Sequence, residues 1–121
     1  MTTEMNWYLV KLVYQVISGS GDHTPQFDEQ LRLIRADEPE WAREKAKVMG
    51  QIGAFAFLNH RNEEVKWQFI DVVDVCPLES LEDGMQIYST TEEPHDVPSY
   101  LEIVKSKAQR MADQFQEKLV A

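Results

Sequence analysis

The chain has 121 residues, of which 43% are apolar and 27% charged, and its 12 basic and 21 acidic side chains leave a formal charge of −9. This length suits one domain with its own core, the ordinary composition excludes wholesale disorder, and the acidic charge disfavours a nucleic-acid partner, because phosphate would be repelled. Apolar runs of a few residues predict no membrane span, and residues 1–6 lack a secretory signal. The single cysteine excludes an internal disulfide and favours the cytoplasm.

Residues 6–18 are predicted to form the first strand, because β-branched and aromatic residues dominate and the even positions from 8 to 16 are all apolar. A Ser- and Gly-rich turn follows, and residues 27–36 predict a second strand. If Val16 lies opposite Phe27, Tyr14 faces Glu29 and the apolar side chains of both strands share one face.

The next segments predict a helix and a second hairpin. An acidic stretch with a proline at 37–40 is typical of a helix start, and apolar residues at helical spacing continue to Ile52. Residues 54–59 and 65–76 predict two further strands. A bulge near Ile70 would turn the following aspartate outward.

The C-terminal part is predicted to hold a short fifth strand at 85–89, a polar connector, and a long amphipathic helix within 97–120. The apolar residues of this helix are separated alternately by four and three positions. It either docks on the sheet or pairs with a second copy. The elements together predict one α+β domain over residues 1–121, in the order β-β-α-β-β-β-α, with a largely antiparallel sheet and helices packed on it.

Several segments resemble a bacterial family described as a domain of unknown function (DUF4288), over about residues 6–89. The resemblance implies this order of elements and a bacterial origin, and it implies no activity. The C-terminal helix lies outside it. The residues that carry the resemblance are Trp7-Tyr8, the stretch 27–36, Ala42, Lys45, Ala46, Asn59, the hairpin residues Val65, Lys66, Trp67 and Phe69, and the stretch 81–89.

No motif predicts catalysis, a metal or a cofactor. Cys76 precedes a proline at a strand end, where no pattern places a histidine beside it, so an inert thiol is expected. The histidines His23, His60 and His95 fall in turns or connectors and lack the spacing of metal ligands. Because His23 and His60 belong to different hairpins, their proximity depends on strand order. We therefore expect no catalytic residue, no bound metal and no cofactor.

A mixed aromatic and basic surface is the candidate binding site. In the register above, Lys11 lies beside Arg32 on the second face of the sheet, together with Trp7. Lys66 joins them if the second hairpin packs in the same phase. Such a patch on an acidic protein could receive an acidic partner or a second copy.

The sequence thus favours a non-enzymatic module that associates with itself or with a protein partner, and two alternatives stay open. One is a small-molecule or catalytic site between sheet and helix, with a pocket lined by Tyr8, Tyr14 and Glu29. The other is an immunity-like protein that binds a basic partner through residues 71–96, which hold eight acids and no Lys or Arg.

Overall fold

The structure, a computed structural model, describes residues 5–119, and for residues 117–119 it describes the backbone alone. Residues 1–4 of the expected N-terminal stretch and residue 120 of the expected helix lie outside the described residues. The chain divides into two compact units, one up to Tyr88 and one from Ser89 onward. The expectation of a single domain stays a prediction. Within residues 5–119, no helix combines the length and the apolar character that crossing a bilayer requires.

The first unit is a four-stranded antiparallel sheet with one helix packed on it. The sheet has the order β2-β1-β4-β3, so the prediction of an α+β fold with an antiparallel sheet is confirmed. The elements are β1 (Asn6–Ser18), β2 (Gln26–Ala36), α1 (Pro39–Ile52), β3 (Phe55–Leu58) and β4 (Glu64–Leu78).

The predicted fifth strand at 85–89 is wrong, since that segment forms no strand. The Met85 N–H donates a hydrogen bond to the Glu82 carbonyl at 3.2 Å, which closes a turn. The Tyr88 hydroxyl accepts a hydrogen bond from Lys11 Nζ, and Lys11 belongs to β1, a central strand of the sheet. The segment therefore contacts one face of the sheet through the Tyr88 side chain. Its backbone does not pair with an edge strand.

The helix α1 covers one face of the sheet, which we call the inner face. Its buried positions are Ala42, Ala46 and Gly50, spaced four apart, and these small residues let the helix approach the strands closely. A Cβ atom at Gly50 would come within 2.4 Å of the Phe69 ring. Of the larger apolar residues of the helix, Met49 packs against the core, whereas Trp41, Val48 and Ile52 are exposed. The core beneath the helix consists of Tyr8, Val10, Leu12, Tyr14, Ile34 and Ala36.

The register of the first hairpin differs by one residue from the prediction. Val16 pairs with Gln26 rather than Phe27. Because side chains alternate between faces, this single step moves every side chain of β2 to the opposite face. The physical reason lies at the other end of β2, where two residues connect the strand to α1. There Ile34 and Ala36 must face the helix, and they are 2% and 5% exposed.

The expected bulge near Ile70 is confirmed, and a second one lies at Val73. The pairing of β1 with β4 shifts register between Lys11 and Leu12 and again between Val13 and Tyr14, so that Ile70 and Val73 are the extra residues. Val72, rather than Val73, therefore faces the core beside Phe69.

The second unit consists of α2 (Val97–Leu119) and the segment before it. Asp96 caps this helix, because its side chain accepts hydrogen bonds from the Ser99 hydroxyl at 2.7 Å and from the Ser99 N–H at 3.3 Å. These bonds hold the pKa of the Asp96 carboxyl below its usual range. The predicted helix is thus present, and it begins with a capped turn.

Candidate functional site

The expected patch of Trp7, Lys11, Arg32 and Lys66 is only partly assembled. Trp7, Lys11 and Lys66 share the face opposite α1, which we call the outer face. Arg32 pairs with Val10 and lies on the inner face. The placement of Arg32 beside Lys11 is therefore wrong, for the same one-residue change of register.

The cations of the outer face are already engaged. Lys11 Nζ lies 3.5 Å from the Glu29 carboxylate and 5.3 Å from the centre of the Tyr88 ring. The hydrogen bond to the Tyr88 hydroxyl and the charge of Glu29 raise the pKa of Lys11 above its usual range, although partial burial opposes them. Lys66 pairs with Glu64 at 3.2 Å. The outer face is thus no basic patch, because each of these ammonium groups has its own carboxylate.

On the inner face, Arg32 ends a chain of hydrogen bonds along β2. Its guanidinium donates to the Gln30 Oε1 at 2.7 and 3.1 Å, the Gln30 amide donates to Asp28 Oδ2, and Trp67 Nε1 donates to the same oxygen at 3.2 Å. A Cβ atom at Gly53 would lie 3.5 Å from the Arg32 guanidinium, so this cation stands at the C-terminus of α1. The last turn of α1 holds no basic residue of its own. Arg32 therefore stabilises the fold, because its positive charge interacts favourably with the negative C-terminal end of the helix dipole.

The structure does not bring together the residues of the expected pocket. Tyr8 and Tyr14 lie in the core with 4% and 1% of their surface exposed, and the Tyr14 hydroxyl donates to the Gly50 carbonyl at 2.7 Å. Glu29 lies on the outer face beside Lys11. The expected pairing of Tyr14 with Glu29 is wrong, since the two side chains point to opposite sides of the sheet.

The outer face carries an apolar stripe, and sequence reasoning placed its β2 members on the same face as the apolar even-numbered residues of β1. The outer residues of β2 include Phe27, Leu31 and Leu33, which are 45–59% exposed, and Trp7 of β1 lies on the same face with Arg35 over its ring. We call these four residues the outer stripe: Trp7, Phe27, Leu31 and Leu33. The sequence signal for this stripe is the apolar alternation of β2. The alternation predicts an apolar face, but it does not indicate whether that face lies toward the helix or away from it.

The helix α2 carries the second exposed apolar surface. All of its residues from 97 to 116 are exposed. Eight of them lie within about 120° of the helix circumference, which is wider than a coiled-coil seam. We call this set the helix stripe: Val97, Tyr100, Leu101, Val104, Ala108, Met111, Ala112 and Phe115.

Charge differs sharply along the chain. Residues 1–96 hold 8 basic and 18 acidic side chains, a net −10, whereas residues 97–121 hold 4 basic and 3 acidic, a net +1. On α2, the basic residues Lys105 and Lys107 border the helix stripe on either side. On the outer face, Glu29, Asp71 and Asp74 lie near the outer stripe. Because Lys11 and Arg35 lie on the same face, the border of the outer stripe carries a net charge of only about −1, against the two lysines of the helix stripe.

The turns of the two hairpins meet at one end of the sheet, because β1 and β4 are neighbours. The Gly19 N–H donates to the Glu64 carbonyl at 2.7 Å. Between the turns lies an open cleft of about 700 Å³, lined by Ser18, Ser20, Asp22, His23, Thr24, Gln26, Asn59, His60, Arg61 and Glu63. Strand order thus places His23 and His60 on the same cleft. Among residues 5–116, whose side chains the structure describes, no three His, Cys, Asp or Glu side chains are close enough to hold a metal ion.

Cys76 lies opposite Leu9 in the pairing of β1 with β4, on the outer face. Partial burial and the neighbouring Asp74 carboxylate raise the pKa of the Cys76 thiol. A thiol with a raised pKa is a poor nucleophile at neutral pH.

A protein-family model described as Domain of unknown function (DUF4288) matches residues 7–89. This match covers more than half of the chain, so the chain belongs to that family. Neither a curated protein nor a solved structure matches it significantly. The match ends before α2, as the resemblance in the sequence indicated.

Proposed function

We propose that this member of the DUF4288 family is a self-associating module, in which the helix stripe of one copy packs on the outer stripe of a second copy. The observation that carries the proposal is the exposure of both stripes in one chain. Leu31, Leu33, Leu101 and Val104 are each about half exposed, at 45–47%. Patches of this kind mark association surfaces on proteins.

Burial of the two stripes would supply an apolar gain that favours association. Removing a Leu, Val, Phe or Met side chain from water is worth about 1.5–3 kcal/mol when burial is complete. Two symmetric contacts bury each stripe twice, once in each copy. Association costs translational and rotational freedom, which offsets part of this gain. Because both contacts form in one dimer, this cost is incurred once rather than twice.

The two elements that carry most of the stripes are similar in length. The 23 residues of α2 span about 34 Å at the rise of an α-helix. The 11 residues of β2 span about 37 Å. A helix laid along the outer stripe therefore covers it from one end to the other.

Charge favours this pairing over contact between two α2 helices. In a helix pair, Lys105 and Lys107 would stand beside the same residues of the partner and repel them. On the outer face these cations would lie near Asp71 and Asp74, whereas Glu29 already pairs with Lys11. Because each copy would place its helix stripe on the outer stripe of the other, the result is a closed dimer with twofold symmetry.

The test is the mass of the full chain in solution, measured by light scattering. We expect twice the 14.1 kDa mass of the chain. Leu101→Glu on the helix stripe and Leu31→Glu on the outer stripe should each give the monomer mass. Ile103→Glu is the matched control, because Ile103 is 53% exposed on the same helix and falls outside the helix stripe. It should remain dimeric.

Two outcomes contradict the proposal. A wild-type chain that stays monomeric at all concentrations excludes self-association. A dimer that Leu101→Glu disrupts and Leu31→Glu leaves intact excludes the outer stripe as the docking surface and indicates helix-to-helix pairing. Circular dichroism of each variant separates loss of association from loss of folding.

A further inference from the structure

The sheet has two free edges, and one of them is blocked. On its side away from β1, β4 pairs with β3 only from Glu64 to Trp67, and no other strand of the described part of the chain lies there. Two bulges interrupt the remaining stretch of β4. The Asp71 carboxylate accepts a hydrogen bond from the Val72 N–H at 2.7 Å, and Pro77 carries no N–H. Bulges and prolines keep an edge from pairing with another strand.

The other free edge runs along β2 and has neither a bulge nor a proline. Its 11 residues pair with β1 without a register shift, and within the described residues no strand lies on its far side. Three side chains at this edge, Phe27, Leu31 and Leu33, are apolar and exposed. A long, regular and apolar edge readily pairs with another strand.

The hydrogen bonds of β1 identify which backbone groups of β2 face this edge. The Gly19 N–H donates to the Glu64 carbonyl, so odd-numbered residues of β1 bond to β4 and even-numbered ones bond to β2. The Ser18 N–H fits this pattern, because it donates to His23 in the turn toward β2. In the observed register, the odd-numbered residues of β2 therefore direct their N–H and C=O groups away from β1.

Four of these residues can pair with a further strand. A fifth, Arg35, has its carbonyl occupied, since that oxygen accepts a hydrogen bond from Lys45 Nζ at 3.1 Å. The other four are placed symmetrically about Gln30: Phe27, Glu29, Leu31 and Leu33. Two identical strands that pair antiparallel about Gln30 would join all of these groups to their counterparts, in about eight hydrogen bonds.

We propose that the β2 strands of two copies pair antiparallel at this edge, with Gln30 of each copy on the twofold axis. This inference rests on the proposed function, because it names a second contact of the same dimer. The outer stripes of the two copies would then adjoin on one face of a continuous sheet. Free backbone groups already bond to water, so their pairing adds little net affinity. The helix stripes supply the affinity, and the edge fixes the register of the two copies.

The side chains of β2 fit this register. Asp28 of one copy would stand opposite Arg32 of the second on the inner face, and the symmetry repeats this contact. On the outer face, Phe27 would lie opposite Leu33. Registers centred on position 31 or 32 fit less well, since both require the occupied Arg35 carbonyl. The register centred on position 32 also places two guanidinium groups opposite each other.

The test is disulfide cross-linking at position 30 in the full chain. Cα atoms of directly opposed residues lie about 4.5–5.5 Å apart, which suits a disulfide. Gln30→Cys, combined with Cys76→Ser to remove the native thiol, should be converted mostly to a linked dimer by a mild oxidant. Non-reducing electrophoresis measures the linked fraction, and circular dichroism checks that the variant is folded.

Gln26→Cys with Cys76→Ser is the matched control, because Gln26 lies on the same strand and the same face. In the proposed register, position 26 is opposite position 34, about 26 Å along the strand from position 26 of the second copy. We expect at least about tenfold less linked dimer than with Gln30→Cys.

Amide hydrogen exchange tests the same contact without a substitution in β2. In the wild-type dimer, the N–H groups of the four residues around Gln30 should exchange at least about tenfold more slowly than in the monomeric Leu101→Glu variant, because pairing protects them. Fast exchange of these amides in the dimer would overturn the edge contact.

The two proposed contacts fail in different ways. A dimer in which Gln30→Cys stays unlinked, or links no more than Gln26→Cys, overturns the edge contact and leaves the helix contact standing. A dimer that links at position 30 and persists in Leu101→Glu contradicts the helix contact and supports the edge. A monomeric chain that links at neither position contradicts both.

Discussion

The two faces of the sheet differ in how much β1 and β2 contribute to their apolar surface. On the inner face β1 contributes the core, and five of its side chains, Tyr8 to Val16, are at most 7% exposed. On that face β2 contributes the polar chain from Asp28 to Arg32. On the outer face β2 contributes Phe27, Leu31 and Leu33, which remain exposed. An edge strand thus turns its more apolar side away from the helix, and the proposed dimer would cover that side.

The largest expected effect on stability comes from a Leu→Ala substitution on the inner face, compared with the same substitution on the outer face. Leu12→Ala removes a fully buried side chain of the inner face, and the lost contacts and the cavity should lower the free energy of unfolding by about 2–5 kcal/mol. Leu31→Ala, the control on the outer face, should change it by less than about 1 kcal/mol. Urea denaturation measures both in the Leu101→Glu background, where the proposed dimer is absent. Equal losses would contradict the assignment of the outer face.

A smaller effect is expected from one hydroxyl on the inner face. Tyr14→Phe leaves the Gly50 carbonyl without its buried donor and should lower the free energy of unfolding by about 1–3 kcal/mol. Tyr88→Phe removes a hydroxyl from the outer face, where Lys11 keeps Glu29 and reaches water. Its loss should be clearly smaller in the same denaturation experiment. The reverse order would show that the outer face holds the tighter polar contact.

The smallest effect concerns Cys76 on the outer face. Because burial and Asp74 raise the pKa of the thiol, the thiolate fraction near neutral pH is low and alkylation by iodoacetamide should be slow. Asp74→Asn removes a negative charge, lowers the pKa of Cys76 and should speed alkylation at pH 7 to 8. Asp71→Asn is the control, since Asp71 instead accepts a hydrogen bond from the Val72 N–H. An unchanged rate in Asp74→Asn would exclude the proposed cause.

Sequence reasoning located the elements well and the faces less well. The bounds of β1 and the bulge at Ile70 follow from local patterns, because an apolar alternation and its interruption are visible in the residues themselves. The face of β2 did not follow, since Phe27, Leu31 and Leu33 form one apolar set and Ile34 and Ala36 form another. The expected basic site was wrong for the same reason, because Arg32 and Lys11 lie on opposite faces of the sheet and not on the same face.

From residue types and their spacing alone, we could predict the family, the antiparallel α+β character, the lack of a catalytic motif and the amphipathic character of α2. These properties depend on residue type and spacing over short stretches. Tertiary packing was needed to establish the register of the first hairpin, the strand order that brings the two turns to one cleft, and the identity of the outer stripe. Each of these depends on contacts between distant residues, such as Gly50 with Phe69 and Gly19 with Glu64. Local periodicity is the same on either face of a strand, so only the packing of α1 could assign the faces.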